Sequence, residues 1–327
     1  MISPAKARGP GCANSPSRPG GTGHLGQHLS VLSVAPSREL TRGTSESTCF
    51  MVSSNFRSVD PIKPVAPYIG GKKNLAKRLV PMIEAIDHTT YVDVFGGMGG
   101  VFLRRTQAPK AEVFNDKSAD VATFFRVLQR HYVPFMDMMR FQLTTRHEFE
   151  RLQRTDASTL TDLERAARFL YLQSTAFGGK VEGRNFGVSP GRPARFDITK
   201  LGETLEDLHM RLASVTIECL DYQDLIPRYD RQDTLFYLDP PYYGSEDDYG
   251  RWLFGRVDYE RLALLLRNLK GRFILSLNDV QPVREIFDGF QIEAVETTYT
   301  ISKEKEGRGK VGEVIISNCK SVDDEGR

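Results

Sequence analysis

The sequence has few cysteines, and they are widely scattered. Cys12, Cys49, Cys219 and Cys319 show no CxxC spacing, so they indicate neither a disulfide framework nor a zinc site. The six histidines form no metal-binding pattern either. We therefore expect a protein that binds no metal.

Long apolar segments are also lacking. No apolar run approaches the roughly 18 to 20 residues that a membrane-spanning helix needs. The N-terminus has neither the apolar core nor the cleavage site of a secretory signal. Apolar residues make up 40% and charged residues 26% of the 327 positions, which is typical of a globular protein with a substantial core. These features predict a cytoplasmic protein with no membrane partner.

Neither positive nor negative charge predominates over the whole chain, because the formal net charge is only +2. The segment from Arg126 to Arg195 differs, with 12 Lys and Arg against 7 Asp and Glu, an excess of +5 (12 − 7). Such a local excess is typical of a DNA-facing surface. A solvated helical surface explains the charge equally well.

Both ends of the chain are predicted to be disordered. Residues 1–60 are rich in Gly, Pro, Ser, Thr and Arg and show no sustained hydrophobic period, and residues 321–327 form a short polar tail. Met51 lies just before the sequence acquires globular character. We therefore expect translation to start either at Met1 or at Met51.

An α/β pattern begins after these first residues. Residues 91–95 read as a buried strand, the glycine-rich residues 96–100 as a turn, and residues 101–103 as the start of a helix. A second strand at 111–114 ends at Asn115-Asp116. A strand, a glycine turn, a helix and a strand in this order predict a doubly wound, mostly parallel α/β sheet.

The middle of the chain interrupts this alternation. Residues 133–212 contain helical segments around a Gly-, Arg- and aromatic-rich stretch, after which strands resume and end in an antiparallel strand at 311–317. We interpret 133–212 as an inserted, mainly helical domain carrying a hairpin. The flanking segments 61–132 and 213–320 would form one catalytic domain.

The glycine turn favours an adenosine-type ligand. Its glycines let the backbone approach a ligand closely, and a following helix would present free N–H groups. Asp116, at the end of the second strand, can accept hydrogen bonds from a ribose diol. NAD-dependent enzymes use the same geometry, and the turn departs from GxGxxG because Phe102 occupies the last position.

A tetrapeptide after the strand at 235–238 indicates the chemistry. In Asp239-Pro240-Pro241-Tyr242 the prolines cannot continue inside a sheet, so the Pro240 carbonyl can lie near the Asp239 carboxylate. The two acceptors can hold a planar amino group at the sheet edge, and Tyr242 can stack on its ring. These residues, Asp239, Pro240, Pro241 and Tyr242, are the predicted catalytic group.

Five segments in order resemble the Dam-like class of N6-adenine DNA methyltransferases. They are Tyr68–Lys72, Asp93–Gly99, Asn115-Asp116, Asp221-Tyr222 and Asp239–Tyr242. The resemblance covers about residues 64–318 and implies the S-adenosylmethionine-dependent methyltransferase type of fold. It implies S-adenosylmethionine contacts at Tyr68, Lys72, Asp93, Phe95, Gly96, Gly97, Gly99, Asp116, Asp221, Tyr222 and Asp239.

The inserted domain resembles the family more loosely. The stretch from Phe177 to Arg195 is similar to a hairpin that enters DNA, but its tip differs, so a GATC target is not implied. Val94 also replaces the family's usual proline. The implied DNA contacts are Lys180, Arg184, Asn185, Arg192 and Arg195.

The resemblance implies a monomeric enzyme that methylates a flipped adenine in duplex DNA. The alternatives are transfer to another planar amino group (cytosine N4, RNA adenine or protein glutamine), an NAD-dependent oxidoreductase, and a catalytically silent DNA-binding relative. No nuclease-like region is present in the sequence. We therefore expect either a solitary methyltransferase or one half of a system with a separate restriction endonuclease.

Overall fold

The computed structural model describes residues 55–188, 191, 193–249, 253–298 and 310–319. The predictions for residues 1–54 and 321–327, for a start at Met51 and for Arg192 lie outside the described residues. Within the described part of the chain, no helix combines the length and hydrophobicity needed to cross a membrane.

Helices and strands alternate through most of the described chain. The helices are α1 (Ala76–Ala85), α2 (Ala119–Arg130), α3 (Tyr132–Met139), α4 (Arg146–Arg154), α5 (Asp162–Thr175), α6 (Ile198–Leu212), α7 (Tyr222–Tyr229), α8 (Arg256–Arg267) and α9 (Gln281–Ile286). The strands are β1 (Arg57–Ser58), β2 (Thr90–Asp93), β3 (Gln107–Ala108), β4 (Ala111–Asn115), β5 (Val215–Glu218), β6 (Thr234–Leu238), β7 (Arg272–Asn278), β8 (Gln291–Thr298) and β9 (Lys310–Ser317).

Seven strands form one mostly parallel sheet in the order β5-β4-β2-β6-β7-β9-β8. The pairs from β5 to β7 are parallel, whereas β9 runs antiparallel to both β7 and β8. The predicted sheet type and its antiparallel final strand are therefore confirmed. After β2, the strands β4 and β5 are added on one side of β2, whereas β6 and β7 are added on its other side. The switch point between β2 and β6 is where α/β proteins of this kind bind ligands.

Side chains on successive strand positions are buried in two different clusters. Tyr91 and Tyr237 belong to the cluster that α1 and α2 cover, whereas Val92 and Phe236 belong to the cluster under α7 and α8. Because neighbouring residues of a strand point to opposite faces, both faces of the sheet are covered. The central strands are consequently held rigid beneath the edge where they end.

The predicted helix after the glycine turn is wrong. Only a 3₁₀ turn forms, at Phe102–Arg104, and Arg105 is already extended. The chain then enters β3, which pairs antiparallel with β1. Pro109 follows directly and would interrupt a helix at this point. The helix-dipole argument for ligand binding at this turn therefore does not apply.

Helices α3, α5 and α6 pack on α2, and α4 packs on α5. Phe135, Phe149 and Phe169 share one buried cluster with Phe124 of α2. A capping box at Thr161 and Glu164 begins α5, as the pattern T-x-x-E at a helix start predicts. After α5 the chain turns back through a single antiparallel bridge between residues 176 and 186. The division into catalytic and inserted domains stays a prediction.

Candidate active site

A cavity of about 860 Å³ opens at the carboxyl edge of the central strands. Its wall includes Asp93 at the end of β2, Asp116 after β4 and Asp239 after β6. Residues 67–72, hereafter the Lys72 loop, form another part of the wall together with the glycine turn. Three motifs that are far apart in the sequence therefore meet in one cavity at the carboxyl ends of the central strands.

The glycine turn leaves no room for side chains on its cavity side. A Cβ at Gly97 would lie 3.0 Å from the Tyr68 ring, and Gly97 has a φ of +52°. A Cβ at Gly96 would lie 2.3 Å from Phe114. Because both positions require glycine, the backbone of the turn can be approached closely by Tyr68 and by a ligand.

Asp116 holds the glycine turn in place. Its Oδ2 accepts a hydrogen bond from the Gly97 amide at 2.8 Å, and its Oδ1 accepts one from the Ser118 amide at 2.7 Å. Burial raises the pKa of Asp116 to about 6, although both amide donors oppose the shift. Each carboxylate oxygen retains a further lone pair for a ligand in the cavity.

Asp93 is a buried acid with an unused oxygen. Its side chain is 2% exposed, and Oδ1 has no hydrogen-bond partner among the described residues. Burial raises the pKa of Asp93 well above its ordinary value, and the nearby acids Asp239 and Asp116 add to the shift. A buried acceptor without a partner is costly, so a cationic or donor group of a ligand would stabilise this corner.

Asp239 is paired with a lysine from the Lys72 loop. Lys72 Nζ lies 2.6 Å from Asp239 Oδ1, and the Ser276 hydroxyl donates to the same oxygen at 3.0 Å. Burial raises the pKa of Asp239, whereas Lys72 and Ser276 hold it down. The acid is therefore shielded from water yet matched by a positive charge.

The rest of the tetrapeptide is held by contacts with side chains of α8, β9 and the Lys72 loop. Pro241 lines the cavity, and its carbonyl accepts a hydrogen bond from Tyr259 Oη at 2.8 Å, while Pro240 is buried. Tyr242 is half-buried and donates its hydroxyl hydrogen to Glu313. The ammonium of Lys72 lies 4.3 Å from the centre of the Tyr242 ring, over its face.

Three residues that support this site were not predicted from sequence. They are Ser276 and Asn278 on β7 and Glu313 on β9. Asn278 accepts from the Tyr243 amide at 2.9 Å and donates to the Tyr243 carbonyl at 3.0 Å, so it fixes the chain just after the tetrapeptide. A polar residue inside an apolar strand pattern, such as Ser276 or Glu313, is the signal that could have revealed them.

Asp221 and Tyr222 do not line the cavity. Asp221 caps α7 by accepting from the Gln223 amide at 3.0 Å, and it pairs with Lys117 at 2.7 Å. Tyr222 is 3% exposed and donates to Asp258 at 3.0 Å. Phe95, which does line the cavity, packs on Tyr222 with 6.1 Å between ring centres. Their predicted contact with the cofactor stays a prediction.

The described DNA-contact candidates lie on or near residues 176–187, hereafter the Arg184 loop. Lys180 and Asn185 are exposed, whereas Arg184 is only partly exposed. Arg195 is exposed, lies 5.6 Å from the centre of the Phe177 ring and lines the cavity beside it. Of these described candidates, Arg195 is the one that lines the cavity containing Asp239.

Within the described ranges, no group of three or more His, Cys, Asp or Glu side chains is placed to bind a metal ion. The buried acids of the cavity instead face Lys72 and backbone amides.

A family model for D12 class N6 adenine-specific DNA methyltransferases matches residues 68–301. The chain belongs to this family. The match runs from Tyr68 in the Lys72 loop through the tetrapeptide at 239–242, so it includes the cavity-lining Asp93, Asp116 and Asp239. The protein is consequently an enzyme that methylates adenine in DNA, and the oxidoreductase alternative is excluded.

Relatives with full-length coverage agree with the family. The chain is 23% identical over 258 residues to the type II methyltransferase M.CviBI of Paramecium bursaria Chlorella virus NC1A, covering 78% of this chain and 96% of the relative. It is 26% identical over 283 residues to the type II methyltransferase M1.LlaDCHI of Lactococcus lactis subsp. cremoris, covering 79% and 95%. It is 23% identical over 271 residues to the DNA adenine methylase of Haemophilus influenzae, covering 77% and 92%.

Proposed function

We propose that this D12 class methyltransferase takes the methyl group from S-adenosylmethionine and transfers it to an adenine held against Asp239. The observation that carries the proposal is the partly buried Asp239 carboxylate on the cavity wall, paired with Lys72 at 2.6 Å. The Pro240 carbonyl would be the second acceptor for the adenine amino group.

The residues of the cavity fit the proposed cofactor. The unpartnered Oδ1 of Asp93 can receive a cationic amino group, and Asp116 has lone pairs for a ribose diol. Gly96 and Gly97 line the cavity with backbone, which suits a ligand packed against it. When bound, S-adenosylmethionine would supply a methyl group carried on a positively charged sulfur.

The chain's own residues would orient the base and exclude water. An adenine inside a duplex is inaccessible, so it must leave the base stack, which costs on the order of a few kcal/mol. Lys72 covers the face of Tyr242, so stacking of the adenine on Tyr242 requires the Lys72 side chain to move. Asp239 and Pro240 would then align the amino nitrogen, and orientation would supply much of the rate enhancement.

The Arg184 loop and Arg195 would contact duplex DNA near the cavity entrance. Residues 133–212 would act as the recognition domain, and the enzyme would work as a monomer. It would function alone or beside a separate restriction endonuclease for the same sequence. Single-molecule sequencing of DNA from cells that express the protein would report both the modified base and its sequence context.

The test is methyl transfer to duplex DNA with radiolabelled S-adenosylmethionine, followed by identification of the modified nucleoside. Asp239→Ala should abolish transfer while cofactor binding is largely retained. Asp233→Ala, an exposed acid before β6 at the opposite edge of the sheet, is the matched control and should retain activity. Normal turnover of Asp239→Ala, or N4-methylcytosine as the product, would contradict the proposal.

A further inference from the structure

Gln173, near the end of α5, uses both nitrogen and oxygen of its buried side-chain amide to join separate segments. The side chain is 0% exposed. Its Nε2 donates to the carbonyl of Pro67 at 2.8 Å and to the carbonyl of Gly179 at 2.7 Å. Its Oε1 accepts a hydrogen bond from Arg184 Nη2 at 3.4 Å. One side chain thus links the Lys72 loop to the Arg184 loop.

The Lys72 loop carries the groups that form the cavity wall. Tyr68 lies against Gly97 of the glycine turn, and Lys72 pairs with Asp239. Tyr249, which follows the tetrapeptide, donates a hydrogen bond to the carbonyl of Ile69 at 3.0 Å. A displacement of this loop would therefore change the contacts of both the glycine turn and Asp239.

The two loops also touch through their backbones. The Ile69 amide donates to the carbonyl of Gly179 at 3.0 Å. Gly179 has a φ of +69°, and a Cβ there would lie 2.8 Å from the carbonyl carbon of Pro67. Such close approach leaves little freedom for one loop to move without the other, and the Gln173 amide spans the same junction.

We propose that Gln173 is a positioning residue that couples DNA binding at the Arg184 loop to cofactor binding in the cavity. The inference rests on the proposed function, in which these two ligands occupy these two places. DNA that orders Arg184 would also restrain Gln173 and, through Pro67, the Lys72 loop. The cofactor then binds a wall that is already ordered, so each ligand raises the affinity for the other by the same factor.

The experiment measures the dissociation constant of S-adenosylhomocysteine, which has no transferable methyl group, with and without a saturating cognate duplex. We expect the duplex to tighten binding by about fivefold or more in the wild type. In Gln173→Leu the effect of the duplex should fall below about twofold. The affinities for each ligand alone should change much less than this coupling factor.

Gln153 provides a matched control. It is an exposed glutamine on α4 whose Nε2 donates to the carbonyl of Arg184 at 3.0 Å. Gln153→Leu removes a glutamine contact to the same arginine but should leave the coupling at its wild-type value. Full coupling in Gln173→Leu, or equal loss in both variants, would overturn the role of Gln173.

Hydrogen exchange of the wild-type protein keeps the test independent of variant folding. The duplex alone, without cofactor, should slow amide exchange in residues 67–72 as well as in 176–187. Slowing confined to 176–187 overturns the coupling even if Gln173→Leu does not fold. A wild type that neither binds nor methylates duplex DNA would instead refute the proposed function, so the two failures are distinguishable.

Discussion

Lys72 and Asp239 form an ion pair on the cavity wall, with 2.6 Å between Nζ and Oδ1. Their side chains are 3% and 18% exposed, so the pair is largely shielded from solvent. Lys72 comes from the loop before α1, and Asp239 follows β6. The Asp239 carboxylate is therefore matched by a charge from a distant motif, which makes its protonation dependent on that motif.

Replacing Lys72 by methionine should shift the pH dependence of methyl transfer. Burial raises the pKa of Asp239 and Lys72 lowers it, so loss of the lysine should raise this pKa further. Protonated Asp239 cannot accept from an amino group, and activity should therefore be lost at a higher pH on the acid side, by about 1 to 3 on the pH scale. Single-turnover rates across pH measure this limb, with the exposed Lys77→Met as control.

Cofactor affinity should fall as the pH drops below about 6. The pKa of Asp116 is raised by burial to about 6, so above that pH the carboxylate is charged and accepts from Gly97 and from a ribose diol. Asp116→Asn should weaken S-adenosylhomocysteine binding about tenfold at neutral pH, because hydrogen bonds to a charged group are lost. The variant should also lack the inflection that isothermal calorimetry shows near pH 6 in the wild type.

The raised pKa of Asp116 has the opposite effect on the stability of the fold, which decreases as the pH rises. The pKa of Asp116 in the folded protein, about 6, lies above the ordinary value of 3.8. The folded state therefore holds a proton that the unfolded chain has released, and stability from this group decreases as the pH rises between those values. The free energies of unfolding of the wild type and of Asp116→Asn, measured with urea at both ends of this pH range, should show this pH dependence in the wild type only. An equal change of free energy with pH in both proteins would contradict it.

Replacing Glu112 by glutamine should destabilise the protein without changing the cavity. Glu112 pairs with the buried Arg105 and, at 2.6 Å, with the buried Arg211. Burial alone would raise the pKa of Glu112, but the two guanidinium groups hold it below its ordinary value. Removing the acid leaves two buried cations, which costs about 3 to 5 kcal/mol.

Urea denaturation measures this loss, and the KM for each substrate should stay near its wild-type value. Arg57→Ala is the control, because Arg57 is 53% exposed and contacts Glu112 at 3.4 Å. It should cost only about 0 to 1 kcal/mol. A similar cost for both variants would show that the buried cluster contributes less than its geometry indicates.

Lys180→Ala should reduce the salt dependence of DNA binding. If Lys180 contacts a phosphate, its loss should weaken binding to all sequences alike and lower the slope of log K against log salt by about 1. Lys110 is equally exposed but lies at the start of β4, at the edge remote from the cavity. Lys110→Ala should leave the slope unchanged. Filter binding between low and moderate salt makes the comparison.

Local patterns were enough to predict several strands and the position of Asp239 at a strand end. The strand predicted at 235–238 forms at Thr234–Leu238, and the final strand predicted at 311–317 forms at Lys310–Ser317. Asp239 was predicted at a strand end because two prolines cannot continue inside a sheet. These features depend on residues close together in sequence, so a linear pattern contains the information.

The helix after the glycine turn shows where the local pattern fails. An apolar triplet at 101–103 is compatible with a helix, but only a 3₁₀ turn forms before the chain pairs with β1. The pairing partner, Arg57–Ser58, lies far upstream. No window of local sequence contains that contact, and tertiary pairing overrides the local preference.

The sequence by itself determined the residue types of the site, the order of its motifs and the mostly parallel sheet in which they lie. Only the tertiary structure decided which side chains serve Asp239 and the loops around it. Ser276 reaches Asp239 because β7 pairs with β6, and Gln173 joins two loops because α5 ends between them. Such contacts follow from sheet register and helix packing, which depend on the whole chain rather than on any short pattern within it.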